Sequence, residues 1–193
     1  MTLLDRVRQR FTRPPELVRA VVQTSSDPDE RVLAWGTLVR DGGWLVATSR
    51  GLRRVPGDLA LTQAGEVGVL PWHEVGTARW TATGDGGGRF EVTPLTEVEP
   101  GVQARLPVER HALADAGGLP PVVRRRVDQT VVASRRVPLP GRGGVVLVAR
   151  RLPGQAEREW TVVFDDDADR SDPAAREAAR QQLAEAIAAD QPS

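Results

Sequence analysis

The sequence predicts an α+β protein whose main body is a small antiparallel β-barrel. Residues 32–80 contain short apolar runs that alternate with tight Gly turns, which is typical of consecutive strands. Residues 77–95 contain two alternating runs around a Gly-rich turn, which predicts a hairpin. A helical apolar pattern follows Leu119, so we expect one helix to close the barrel.

The first half of the predicted barrel is a series of short strands joined by turns. Asp41-Gly42 favours a tight hairpin because both residues tolerate a positive φ. Pro71 interrupts a later run, and we expect a docking turn that places Trp72 and Val75 on the core side. The predicted strands are Val32–Val39, Trp44–Thr48, Leu52–Val55 and a weaker one at Leu59–Thr62.

The second half begins with the hairpin formed by Thr77–Thr83 and Arg89–Leu95. A register that pairs Thr83 with Arg89 puts Trp80 opposite Val92 on one face. A last strand is predicted near Val102–Leu106. The closing helix is expected to turn a stripe of Val123, Val127 and Val131 inwards.

This layout resembles the pleckstrin-homology-like barrels of bacteria, and more narrowly a group of actinobacterial proteins with the same order of elements. The resemblance lies in GWLVATSRGLRRV as an early hairpin, LPWHEVGTARW as a Pro–aromatic docking turn, and GLPPVVRRRVDQTVV as the closing helix. It implies a ligand-binding or protein-binding scaffold without catalysis. Lipid-binding members carry a basic cluster in an early hairpin loop, whereas residues 40–43 hold one Arg and one Asp.

Three segments follow from these patterns. Residues 1–30 form an N-terminal helical segment and a loop, with Leu3, Leu4, Val7 and Phe11 on the apolar stripe of a first helix and a second helical pattern from Pro15 to Val22. Residues 31–133 form the barrel with its closing helix. Residues 134–193 form a β-hairpin and a C-terminal helix, packed on the barrel or on a partner.

The last segment predicts burial on both faces of its hairpin. Val145–Arg150 and Trp160–Phe164 are apolar at nearly every position, and such strands need cover on both sides. One cover is the C-terminal helix, capped by Asp172 with Pro173 at its first position. Its inner stripe is predicted to contain Ala175, Ala179, Leu183 and Ile187. The barrel or a second copy of the chain would supply the other cover, so we expect a homodimer as one outcome.

Composition narrows the function classes. The chain has no Cys, which excludes disulfides, Cys–zinc sites and thiol nucleophiles. All of its basic side chains except two His are Arg, a bias typical of a GC-rich genome and weak support for nucleic-acid binding. No apolar run is long enough to span a membrane and no secretion signal begins the sequence, so we expect a cytoplasmic protein.

No catalytic or cofactor motif emerges. Asp165, Asp167 and Asp169 alternate as in a calcium loop, but Arg170 replaces the required Gly and Arg176 the bidentate Glu. The two His, His73 and His111, lie apart in the sequence without a nucleophile motif. We therefore expect no enzyme, no cofactor and no metal.

The best functional signal is a basic block between residues 119 and 151, which holds eight Arg and one Asp. Its lack of interleaved aromatic residues disfavours nucleic acid. The sequence predicts a non-catalytic scaffold that binds a protein or itself. The alternative is attachment to an anionic membrane surface through the N-terminal basic helix and this block. The candidate anion- or partner-binding residues are Arg124, Arg125, Arg126, Arg135, Arg136, Arg142, Arg150 and Arg151.

Overall fold

The structure is a computed structural model that describes residues 13–152 and 158–190. The fold is α+β with a large, mostly antiparallel sheet and a C-terminal helix, as predicted. The predicted first helix, with Leu3, Leu4, Val7 and Phe11, lies outside the described residues. The described helices are α1 Glu16–Gln23, α2 Leu119–Thr130 and α3 Pro173–Ala189, with 3-10 helices at Leu61–Glu66 and Trp72–Glu74. The strands are β1 Val32–Leu38, β2 Trp44–Thr48, β3 Gly51–Val55, β4 Leu70–Pro71, β5 Val75–Ala82, β6 Gly88–Glu99, β7 Val102–Arg105, β8 Glu109–Asp115, β9 Val131–Pro138, β10 Gly144–Arg151 and β11 Arg158–Phe164.

The chain forms two compact units. Unit 1 extends up to Pro94 and resumes at Val108–Val127, whereas unit 2 contains Leu95–Pro107 and the chain from Asp128 onward. The strand β6 therefore begins in unit 1 and ends in unit 2. Residues 95–107, which the sequence placed inside the barrel segment, contribute strands to unit 2.

Unit 1 is an antiparallel sheet with the strand order β4-β3-β2-β1-β8-β6-β5. Within the described residues no ladder joins β4 to β5, so the sheet is open at both edges and a closed barrel is not confirmed. The strand β2 is apolar on both sides because it lies between two cores. Leu45 and Ala47 contact one core, and Val46 contacts the other together with Val18 and Val21 of α1.

Two predicted turns of unit 1 are confirmed. Asp41 and Gly42 have φ angles of 63° and 61°, and Leu38 N donates to Gly43 O at 2.8 Å. In the docking turn Trp72 and Val75 are buried, and Trp72 Nε1 donates to Thr48 O at 3.0 Å.

The predicted hairpin forms, but its register is wrong by two residues. Trp80 lies opposite Phe90, and Ala78 opposite Val92. The reason is a tighter turn, in which Thr83 N donates to Gly87 O at 3.0 Å. The shift preserves the predicted face of every side chain because it is an even number of residues, and side chains alternate between faces with a period of two.

Three local predictions are wrong. The weak strand at 59–62 is replaced by a 3-10 helix that buries Ala64 against the core shared with α1. The strand β8 was missed because only His111 and Leu113 of its side chains are buried. Val131 does not continue the inner stripe of α2, because the helix ends at Thr130 and β9 begins at Val131.

Unit 2 is a sheet in which β7, β11, β10 and β9 follow the second half of β6, and β7 pairs with β11 in parallel. Helix α3 packs on one face, where Ala175, Ala179 and Leu183 are buried as predicted. The predicted fourth stripe residue, Ile187, is 43% exposed, and Ala186 is buried instead. Because an α-helix has 3.6 residues per turn, the third residue after Leu183 can face the sheet as well as the fourth.

The opposite face of the unit 2 sheet carries Val148 and Val163. Both side chains are buried within a single copy of the chain. Val146, a third apolar side chain of this face, is half-buried, and the homodimer stays a prediction.

Candidate binding site

The eight Arg of the basic block are divided between the two units. Arg124, Arg125 and Arg126 lie on α2 in unit 1, and the first two are exposed. The other five belong to β9, β10 and their connecting loop in unit 2. Within unit 2, neighbouring Arg135 and Arg136 lie on opposite faces of β9, opposite Leu147 and Val146 of β10.

Two of these Arg side chains already have structural roles. Arg136 donates to Asp165 Oδ2 from Nε at 2.9 Å and from Nη2 at 2.7 Å. Arg150 is only 5% exposed and donates from Nη1 to Thr130 Oγ1 at 3.0 Å. Burial lowers the pKa of Arg150. The block is therefore not one exposed basic surface, and the membrane alternative stays a prediction.

The remaining candidate groups do not converge on a site. His111 is buried on β8, and Glu109 Oε2 lies 3.3 Å from its Nε2 outside hydrogen-bond geometry. Burial lowers the pKa of His111, against the opposing influence of Glu109. His73 lies in the docking turn, with Nε2 3.8 Å from Glu74 Oε1. In the part of the chain that the structure describes, neither His has a nucleophile as its hydrogen-bond partner.

The acidic run after β11 stabilises its own turn. Asp165 accepts from Arg136, and Asp169 Oδ1 accepts from the backbone N and the Oγ of Ser171 at 2.9 and 2.6 Å. These bonds lower the pKa of Asp169. Across residues 13–152 and 158–190 no group of three His, Asp or Glu side chains is placed to hold a metal ion.

Sequence reasoning missed a buried ion pair beneath α1. Arg53 Nη2 and Nε donate to Glu30 at 2.7 and 2.9 Å, and both residues are 6% exposed. Arg53 also donates to Val67 O and to Ser25 Oγ. The only sequence signal is the pair of charged residues, Arg53 and Arg54, within the predicted strand Leu52–Val55. Because every partner belongs to the fold of unit 1, this pair is structural.

The open edge of β5 is the feature of unit 1 best suited to binding. This strand is eight residues long and pairs only with β6 among the described strands. An unpaired edge presents main-chain donors and acceptors to an incoming strand. The edge carries no Pro and one charged side chain, Arg79.

The pairing of β5 shows which backbone groups face outward. Thr83 N donates to Gly87 O, so these residues form a hydrogen-bonded pair next to the turn. Antiparallel pairs alternate between bonded and non-bonded. Ala82, Trp80 and Ala78 are therefore at non-bonded positions, and their N–H and C=O groups point away from β6 to the open edge.

Apolar side chains accompany these free backbone groups. Ala78 and Trp80 are half-buried and pack against the larger core of unit 1, and the ring centroid of Trp80 lies 6.1 Å from that of Phe90. Val122 and Val127 of α2 are also half-buried against this core. The margin of the core therefore keeps apolar surface accessible at β5.

The other long edge strand, β9 of unit 2, differs from β5 in the residues at its outward-facing positions. Leu139 N donates to Gly143 O, so by the same alternation Ser134, Arg136 and Pro138 occupy its outward-facing positions. Pro138 lacks an N–H group, and Arg136 places a charge at this edge. Such residues discourage strand addition. The edge of β9 is protected, whereas that of β5 is not.

Comparison of the chain with protein-family models, with curated proteins and with solved structures finds no match. Of the helices that the structure describes, none has the length and apolarity needed to cross a membrane.

Proposed function

We propose that the chain is a non-catalytic interaction scaffold whose β5 edge binds an extended polypeptide segment by strand addition. The observation that supports it most is the combination at one edge of outward backbone groups and half-buried apolar side chains. Main-chain hydrogen bonds to Ala78 and Trp80 would supply affinity, and alternate side chains of the peptide would supply specificity.

The charges on the outer face of this sheet indicate which peptide suits the edge. Arg79 lies opposite Glu91, but Glu91 already has Arg89 at 3.5 Å and Arg110 at 3.2 Å. The face therefore carries an excess of positive charge. A segment that alternates apolar residues, on the Trp80 side, with acidic residues, on the Arg79 side, is the complementary partner.

A meander of strands followed by one amphipathic helix also fits the pleckstrin-homology-like resemblance, which implies a binding scaffold. That membership is part of the proposal. It adds support from the order of the elements, while the ligand class rests on the edge of β5 alone.

The test is selection of twelve-residue peptides from a displayed library in which apolar and acidic positions alternate, with the full chain as bait. Ala78→Pro removes one outward N–H without removing a bond to β6, so selected peptides should bind at least about tenfold more weakly. In the wild-type protein, the amide protons of Ala78, Trp80 and Ala82 should exchange more slowly once a peptide is bound.

Ser134→Pro is the matched control, because it removes an outward N–H from the protected edge of β9. Peptide binding should be unchanged in this variant. Equal binding to the wild type and to Ala78→Pro, or protection of amides elsewhere than β5, would refute strand addition at this edge. A library in which Arg replaces the acidic positions tests the charge preference separately.

A further inference from the structure

Unit 2 contains a small cavity of about 60 Å³ beside the first half of α3. Its floor includes the buried side chains of Val102, Phe164 and the polar Gln103. Its rim carries Arg170, Arg176, Arg180 and Glu99. Three Arg residues and a single carboxylate thus line a cavity whose floor is mostly apolar.

Two Arg of this rim already bind a carboxylate of the protein itself, that of Glu99. Arg176 and Arg180 lie one helical turn apart, so they extend from the same face of α3. Arg176 Nη2 contacts Oε1 of Glu99, and Arg180 Nη1 lies 3.4 Å from its Oε2. The two oxygens of the Glu99 carboxylate thus contact two different Arg side chains, and both contacts are charge-assisted.

The third Arg of the rim, Arg170, differs from the other two in its contacts. It precedes α3 and lines the same cavity, but no hydrogen bond or ion pair holds it within residues 13–152 and 158–190. Arg180 divides its donors between Glu99 and Glu177, to which Nη2 donates at 2.9 Å. Arg170 and Arg176 therefore have donors left for a second anion.

We propose that this cavity binds a small monocarboxylate, whose charged group contacts Arg170 and Arg176 and whose short apolar chain rests on Val102 and Phe164. Glu99 acts as an internal competitor because its carboxylate occupies the same guanidinium groups. A phosphate dianion fits less well, since it would meet the charge of Glu99 and has no apolar atoms to place against Val102 and Phe164. The site is independent of the β5 edge.

The experiment is a titration of the full-length, isotope-labelled protein by NMR with three probes: butanoate, butanamide and inorganic phosphate. Butanoate should move the Arg Nε–H resonances and the Gly101 amide, which donates to Glu97 Oε1 at 2.8 Å beside the cavity. A ligand of six heavy atoms can reach a Kd of roughly 1 mM. Butanamide and phosphate should each bind at least about tenfold more weakly, since butanamide lacks the charged group and phosphate lacks the apolar chain.

Three variants locate the site. Arg170→Gln should weaken butanoate about tenfold, the usual effect of one lost charge-assisted bond, without lowering Tm because this side chain holds no described partner. Glu99→Gln should strengthen binding by removing the competing charge. Arg158→Gln, an exposed residue of the same unit outside the cavity, should leave binding unchanged.

Several results would overturn the proposal. These are the absence of shifts at 20-fold the expected Kd, equal affinity for butanoate and butanamide, or an unchanged Kd in Arg170→Gln. Weaker binding in Glu99→Gln with an unchanged Tm would also contradict it, because it would make Glu99 a ligand contact rather than a competitor.

Discussion

Glu30 illustrates how a buried carboxylate is held in its charged form. Burial by itself raises the pKa of Glu30, but hydrogen bonds from Arg53, Ser25 and Thr48 and the charge of Arg53 together lower it from 4.5 to about 2. The side chain of Glu30 is fully buried and that of Arg53 is 7% exposed, so solvent screens the pair weakly. A pair of this kind costs much when one partner is removed.

Glu30→Gln should lower the free energy of unfolding at pH 7 by about 3 kcal/mol, because Arg53 remains buried without a counter-charge. The lowered pKa also sets a pH dependence. The stabilisation is complete above the unfolded pKa of 4.5 and is lost as pH falls towards 2. Urea unfolding of both proteins between pH 7 and 2 should therefore show a difference that shrinks at the acid end.

Glu66→Gln is the control for this measurement, since Glu66 is exposed in the same unit. It should change the free energy of unfolding by less than about 0.5 kcal/mol at any pH. A Glu30→Gln variant as stable as the wild type at pH 7 would show that the ion pair does not stabilise unit 1.

His111 predicts a second pH effect, in a higher range. Its pKa is lowered by burial, so the unfolded chain binds a proton more readily than the folded chain. Stability from this group is present above the unfolded pKa of 6.5 and is lost as pH falls below it. His111→Leu should flatten the stability profile between pH 7 and 5. An unchanged slope between pH 7 and 5 in His111→Leu would contradict the assignment.

At the scale of elements, α3 shows how local signals fix a helix. Asp172 Oδ1 accepts from Ala174 N at 2.9 Å, and Pro173 occupies the first position, both as the sequence predicts. Asp172→Ala should lower the free energy of unfolding by about 1 kcal/mol, which chemical denaturation can measure. Asp166→Ala removes only an exposed ion pair with Arg105 and should cost less than about 0.5 kcal/mol. Equal losses in the two variants would argue against the cap.

The elements that the sequence predicts correctly are those with local causes. The Asp41-Gly42 turn follows from two adjacent residues, and the docking of Trp72 from a Pro–Trp pair. The errors arise where tertiary contacts decide. The strand β8 has a weak pattern of its own and forms because β1 and β6 flank it, and Ala64 enters a 3-10 helix because α1 packs there.

The candidate sites were less accessible to sequence reasoning than the fold. The basic block is contiguous in sequence, yet Arg150 is buried and Arg136 is bound to Asp165. The cavity of unit 2 joins Glu99 to Arg176 across 77 positions of the chain, a separation at which no spacing pattern exists. The open edge of β5 depends on which strands fail to pair, and a single strand's pattern does not contain that information.

At the scale of the whole molecule, the chain leaves unit 1 through β6 and β7, enters unit 2 and then returns to unit 1. Residues 95–107 leave unit 1 after Pro94 and return at Val108, and in unit 2 they pair with β11. Within unit 1, Val92 of β6 already lies opposite Glu109 of β8. The excursion is therefore an insertion into what would otherwise be a simple hairpin of unit 1.

This arrangement predicts the behaviour of two fragments. A fragment of residues 1–130 keeps residues 95–107 but lacks β9, β10, β11 and α3, so Val102 and Ala104 lose their cover and an unpaired strand edge is exposed. We expect it to aggregate.

Replacing residues 95–107 by Gly-Asn-Gly in the same fragment joins Pro94 to Val108 through a short turn. That version should be monomeric by light scattering and unfold in one cooperative transition. Equal aggregation of both versions would mean that unit 1 needs unit 2 in order to fold, whereas a soluble, cooperative first version would mean that β7 does not depend on β11.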